Sequence, residues 1–139
     1  MRALIPEAFG APIGRYVPGV EVETASTRLV SVTGQVAVDS TGETVGLGDV
    51  VRQTEQVFDN LQQVLAEAGA GLADLLSVTV YLTDREDFEG FNKVRNRVFA
   101  QITPPSSTVV IVAGLVVPGH LVEVSALAVV AAEPPKEQR

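Results

Sequence analysis

Two charged side chains in this 139-residue sequence fall where charge is expensive. Glu123 is set in Leu121-Val-Glu-Val-Ser-Ala126, an apolar, strand-like run. A carboxylate there is costly to bury unless it is paired or hydrogen-bonded. Two readings of it stand. It is a structural partner for a cation or for backbone amides, or it is an acid that positions water and acts as general base, with its pKa raised by apolar surroundings. Arg95 comes four residues after Phe91 and three and four before Val98 and Phe99, on the apolar side of a helix. A guanidinium keeps its charge and needs a carboxylate, a ligand or a route to water. Arg95 either snorkels at the rim of the apolar stripe or faces a cleft.

Most other chemistry is closed off. His120 is the sole histidine, in a Pro118-Gly-His turn where an exposed ring is expected, so no histidine triad and no two-histidine metal site can form. The chain has no cysteine, which removes disulfides, thiolate nucleophiles and cysteine-bound metals. No phosphate-binding or dinucleotide glycine pattern occurs. Asp84, Glu86 and Asp87 suit a helix first turn, where negative charge favours the dipole, and neither a metal nor a cofactor is expected. The net charge of −7 argues against a nucleic-acid partner, which calls for a basic patch. The first residues show no basic segment followed by an apolar one, so no signal peptide is expected. The longest apolar run, Val109–Val117, is too short to span a bilayer. A soluble, cytoplasmic protein is the expectation.

The elements that must hold these residues are legible from periodicity. With 46% apolar and 19% charged residues the chain is globular, most simply one domain over residues 1–131 with a polar tail at 132–139 that frays. Pro6 to Gly19 reads as an irregular arm, and Arg28–Thr33 as a strand that Val36–Val38 continues, before a turn at Asp39–Gly42. Val50, Thr54, Val57, Leu61, Val64, Leu65 and Ala68 form one stripe, predicting a helix from Asp49 to Ala68 with Gly69 as its stop. Leu75–Leu82 is a strand. Thr83-Asp-Arg-Glu86 matches a capping box that opens a second helix with a stripe at Phe88, Phe91, Val98, Phe99 and Ile102. Thr108–Val117 and Leu121–Ala131 read as a closing hairpin. The order β-β-α-β-α-β-β predicts an α+β domain, a mixed sheet with two helices on one face. The last two strands are apolar at nearly every position, whereas two helices cover only one sheet face. The other face is therefore expected to pack against copies of the chain.

In their order and spacing, several short motifs resemble the Rid family, also called YjgF. They are Gly14-Arg-Tyr16-Val-Pro-Gly19, Thr33-Gly34-Gln35, Gln53-Thr54 with Asn60, Asp87-Phe88 with Asn92, Pro104, and Val122-Glu123-Val124. The resemblance implies a chorismate-mutase-like fold and a homotrimer with a small-molecule cleft at each subunit interface. It also implies hydrolysis of reactive enamines and imines, releasing ammonia and a keto acid. Tyr16 and Gly34 would line the cleft and Glu123 would position the water. Two departures stand out. The family's Pro-x-Arg-Ser, whose arginine grips the substrate carboxylate, reads Pro104-Pro-Ser106-Ser107 here, and Arg95 stands where a tyrosine is usual. Branches without that arginine often lack ordinary imine deaminase activity. The expectation is therefore hydrolysis of an enamine or imine other than the 2-aminoacrylate type, with Glu123 catalytic and Tyr16, Gly34, Arg95 and Ser106 around the substrate. The alternative is a non-catalytic trimer that binds a metabolite or a partner protein.

Overall fold

The stripe from Val50 to Leu65 does wind into a helix, α1, Val50–Glu67. Asp49 caps it by accepting the Arg52 N–H at 3.1 Å. Gly69, at φ +66°, ends it in the left-handed conformation that glycine adopts without strain. The computed structural model describes residues 1–132, so the tail expected to fray lies outside the described residues except for Ala132. The Ala132 N–H donates to the Ser26 carbonyl at 3.1 Å.

Six strands form one sheet: β1 Arg2–Leu4, β2 Gly19–Glu23, β3 Thr27–Gln35, β4 Leu75–Leu82, β5 Ser106–Ile111 and β6 Val122–Ala131. Their order is β1-β2-β3-β6-β4-β5. Every pairing is antiparallel except the parallel β4–β5 pair. Helix α2, Phe88–Val98, follows β4. Alternation then sorts the side chains. Val30, Val32, Val78, Val80, Leu82, Val122, Val124, Ala126 and Ala128 turn to the helices and are buried with Val57, Leu61, Val64, Leu65, Phe91 and Val94. Phe58 and Phe99 join the two helices edge to face, their centroids 5.6 Å apart.

The opposite, outer face carries Val22, Leu29, Leu76, Val110, Leu127 and Val129, each between 38% and 56% exposed. The same face also carries Ser77, Thr79, Thr108, Glu123 and Ser125, so it is mixed rather than apolar at nearly every position as expected. From Val122 to Val129 β6 alternates between buried and more open positions, so its outward residues are Glu123, Ser125, Leu127 and Val129, two polar and two apolar. Among the described residues no helix is long and apolar enough to cross a membrane.

Four local expectations need correction. β5 and β6 are not a hairpin, because β4 lies between them. Val112 N–H donates to the Leu82 carbonyl and Thr83 N–H to that of Leu121, so residues 112–121 pass over the end of β4. β5 accordingly stops at Ile111 rather than Val117. Asp84, not Thr83, begins the second helical segment, its carboxylate accepting the Glu86 N–H over a short 3-10 turn that precedes α2. Three strands precede α1 rather than two, because the arm ends in β2, which pairs with both β1 and β3. Gly19 permits this, since a Cβ there would lie 2.7 Å from Val64 Cγ1.

Candidate functional site

On the outer face, the end of β6 meets an irregularity in β3. The β3–β6 register shifts between Val32 and Gln35, leaving Thr33 and Gly34 in a bulge that re-aims the strand. Gly34 there presses on Glu123. A Cβ at Gly34 would fall 2.9 Å from Glu123 Cδ and 3.0 Å from its Cγ and Oε1. The carboxyl group thus lies against bare backbone, a seat that any larger residue would occupy. On its other side Glu123 is the cross-strand partner of Tyr81. No hydrogen bond or ion pair holds Glu123 among the described residues, and burial pushes its pKa above the ordinary carboxylate value. A carboxyl group in that condition can take up and release a proton without first breaking a salt bridge.

The arm reaches the same place. Thr33 donates its N–H to the Pro18 carbonyl at 2.8 Å and its hydroxyl to the Val17 carbonyl at 2.7 Å, tying the segment after Tyr16 to the bulge. Tyr16 and Gly34 both line a cavity of about 330 Å3 whose apolar wall includes Phe9, Pro12 and Ile13 of the arm, with Asn60 and His120 among its polar groups. Gly34 thus borders both this cavity, which Tyr16 lines, and the Glu123 carboxyl group, which is not part of the cavity lining.

Ser106 and Arg95 do not join them. Ser106 shares the outer face with Glu123, and its hydroxyl donates to the Leu76 carbonyl at 3.2 Å. Glu123 pairs with Tyr81 and Tyr81 with Val110, four residues along β5 from Ser106. That is about 13 Å of strand, beyond the reach of either side chain. Arg95 lies on the other side of the sheet, where its Nη1 donates to Ser107 Oγ at 3.1 Å and its Nε and Nη2 to Asn92 Oδ1 at 3.2 and 2.6 Å. Its guanidinium carbon is 5.7 and 5.2 Å from the Phe88 and Phe91 ring centroids. Within a protomer, then, Arg95 does not stand in for an arginine at position 106.

His120 is corrected outright. It is buried, not exposed, with Nε2 at 3.0 Å from Thr44 Oγ1, and burial lowers its pKa. Gly119, at φ +92°, turns the chain so that the ring enters. Among the described residues no group of three or more His, Asp or Glu could hold a metal ion.

Comparison with known proteins places this geometry. The family model described as Endoribonuclease L-PSP matches residues 7–130. The chain belongs to this family. A RutC family protein of Pyrococcus abyssi is 38% identical over 102 residues, 73% of this chain and 76% of that protein. The 3-aminoacrylate deaminase RutC of Acinetobacter baylyi is 30% identical over 125 residues, 90% of this chain and 94% of that enzyme. Among solved structures, RidA from an Antarctic Psychrobacter superposes with a TM-score of 0.80 at 30% identity, covering 93% of this chain and all of that one (100%). TdcF of E. coli with bound serine gives 0.80 at 30% identity, covering 93% and 98%. The family's mixed sheet with two helices on one face is the fold described above.

Sequence reasoning assigned no role to two polar residues, Tyr81 and Gln53. Tyr81 faces Glu123 through strand register, which no local pattern reveals. Gln53 is fully buried; its Nε2 donates to the carbonyls of Gly46 and Gly119 at 3.1 and 2.8 Å, and its Oε1 accepts the Leu121 N–H at 2.8 Å. It fastens to α1 the turn that delivers His120 and starts β6. Its spacing from Val50 and Val57 could have disclosed it.

Proposed function

We propose that three copies of this chain enclose clefts in which Glu123 directs the hydrolysis of an imine or enamine that lacks a carboxylate beside the reacting carbon. The observation that carries this reading is the unpartnered, half-buried Glu123 carboxyl with its raised pKa, set against Gly34. The carboxylate takes a proton from water as the oxygen bonds to the C=N carbon. The resulting carboxylic acid returns that proton to nitrogen, giving a carbinolamine. The carboxylate then takes the hydroxyl proton and passes it to the amine as the C–N bond breaks, so that ammonia leaves and a carbonyl product remains. An enamine first gains a proton at its β-carbon to become the imine. Support for the reaction class comes from the relative named 3-aminoacrylate deaminase. Support for assembly comes from the half-exposed apolar residues of the outer face, Val110, Leu127 and Val129 among them, and from the wide separation of Ser106 and Glu123, which would have to come from different copies to share a cleft. The net charge of −7 speaks against the nucleolytic sense of the family's name.

A second reading, a non-catalytic metabolite-binding trimer, draws on the same Ser106, which offers only a hydroxyl. A coupled assay that generates imines enzymatically and follows ammonia distinguishes them. Wild type should process 2-iminopropionate poorly, because two charge-assisted bonds to the carboxylate are missing. Their loss amounts to on the order of 3 kcal/mol, or about a hundredfold in rate. Ser106→Arg should recover part of it, and uncharged imines should turn over in the wild type. Rapid wild-type turnover of 2-iminopropionate would sink the substrate assignment. Saturable binding of uncharged imines without any turnover would favour the second reading.

A further inference from the structure

Arg95 is unlike the other structurally engaged arginines. Arg2 and Arg28 both reach Glu21, at 2.7 and 3.1 Å, and Arg97 reaches Glu55 at 3.4 Å. No carboxylate comes within 4.0 Å of Arg95 among the described residues, although the side chain is partly buried and fully oriented. Its cation is held by neutral groups alone: the Asn92 amide oxygen, the Ser107 hydroxyl and the faces of Phe88 and Phe91. Rings strip water from a guanidinium without neutralising it, so the unmet charge is stronger than that of a freely hydrated side chain. Each nitrogen uses one N–H in these contacts, and a guanidinium has five, so one donor remains on each terminal nitrogen. Arg95 opens onto a cleft with Phe99, Pro104, Pro105 and Ser107, roofed by no acidic residue.

We infer that Arg95, Asn92 and Ser107 form a binding site for a small oxyanion, the carboxylate or phosphate of a metabolite, on the helix side of the β5 edge. Within a protomer the site is separate from the Glu123 region, since Ser106 and Ser107 point to opposite faces of the sheet, and it does not rest on the hydrolytic reading. A fixed guanidinium recognises an oxyanion through paired N–H donors, and the Ser107 hydroxyl supplies a third contact. Carboxylate and phosphate share that chemistry, and the two are distinguished by experiment.

Titration calorimetry and thermal melting of the full-length protein, with pyruvate or inorganic phosphate at constant ionic strength and chloride as control, test the site. Saturable binding of at least one probe is expected, about tenfold or more weaker in Arg95→Met and intermediate in Arg95→Lys, with the preferred probe naming the source. Ser107→Ala should weaken binding less, and Glu123→Gln should leave it unchanged. Should Arg95→Met fold poorly, Arg95→Lys and Ser107→Ala carry the test. Absence of saturable binding by either probe, or equal binding in the Arg95 variants, overturns the assignment. So does an assembly that dissociates on losing Arg95 while wild type binds neither probe, which would make the guanidinium a subunit contact.

Discussion

Glu123 and Arg95 are both charged groups without an opposite charge beside them, yet the fold handles them in opposite ways. Glu123 stands on the outer face, touching a glycine backbone and facing Tyr81, and among the described residues nothing polar fixes its carboxyl group. Arg95 stands on the helix face, its guanidinium stacked against two rings and tied by three hydrogen bonds. The acid is left free to change protonation; the cation is fixed in direction. Freedom suits a group that must take and return a proton, while fixity suits one that must recognise a shape. An unpaired charge is therefore not one kind of signal.

The largest effect is expected at Glu123. Glu123→Gln should cut turnover of an uncharged imine by about a hundredfold or more, the range for loss of a general base, with no loss of melting temperature at neutral pH. A large loss of melting temperature in that variant would make Glu123 a structural partner after all. Gly34→Ala comes next. The added methyl comes nearest to the Glu123 side chain, which can swing aside, so the fold should absorb it while the carboxyl group is displaced. Turnover should fall on the order of tenfold with little change in stability. Equal turnover in Gly34→Ala would show that the seat against the bulge is not used.

The smallest effect is on stability against pH, and it sharpens the comparison through sign. Glu123 has its pKa raised from 4.5 in the folded state, so its contribution is full below 4.5 and is lost as pH rises through the raised value. His120 has its pKa lowered from 6.5, so its contribution is full above 6.5 and is lost as pH falls toward its folded value. Relative to wild type, Glu123→Gln should gain stability as pH increases. His120→Gln, which forgoes the contact with Thr44 at about 1 kcal/mol, should lose less on acidification. Parallel pH profiles for both variants and wild type would refute these assignments.

Much of the fold could be read because its signals are local. The α1 stripe, its Asp49 cap and the Gly69 stop depend only on residues a few positions apart, and the helix ends where they indicate. Strand β4 was bounded correctly by its own composition. What escaped depends on partners distant in sequence. Nothing local says that β4 separates β5 from β6, so two adjacent apolar runs looked like a hairpin. His120 looked like a turn residue because its burial is decided by Thr44 and Gln53, from other elements. Around the candidate site, Glu123 declared itself by being polar in an apolar run, and its contact with Gly34 follows the family resemblance. Arg95 was equally visible, but which face it served depended on the parity of Ser106 and Ser107, fixed only by pairing with β4.

β6 is flanked by β3 and β4, and its partners include Val30 opposite Ala128 and Val80 opposite Val124. During synthesis it is the final strand of the sheet to emerge, so the preceding strands must wait with their central edges open. Assembly through such distant pairings is intrinsically slow, and the waiting chain is exposed to mispairing. The same strand carries Glu123. A chain halted before residue 122 would therefore lose the keystone of the sheet and the acid together, leaving no well-folded product that merely lacks activity.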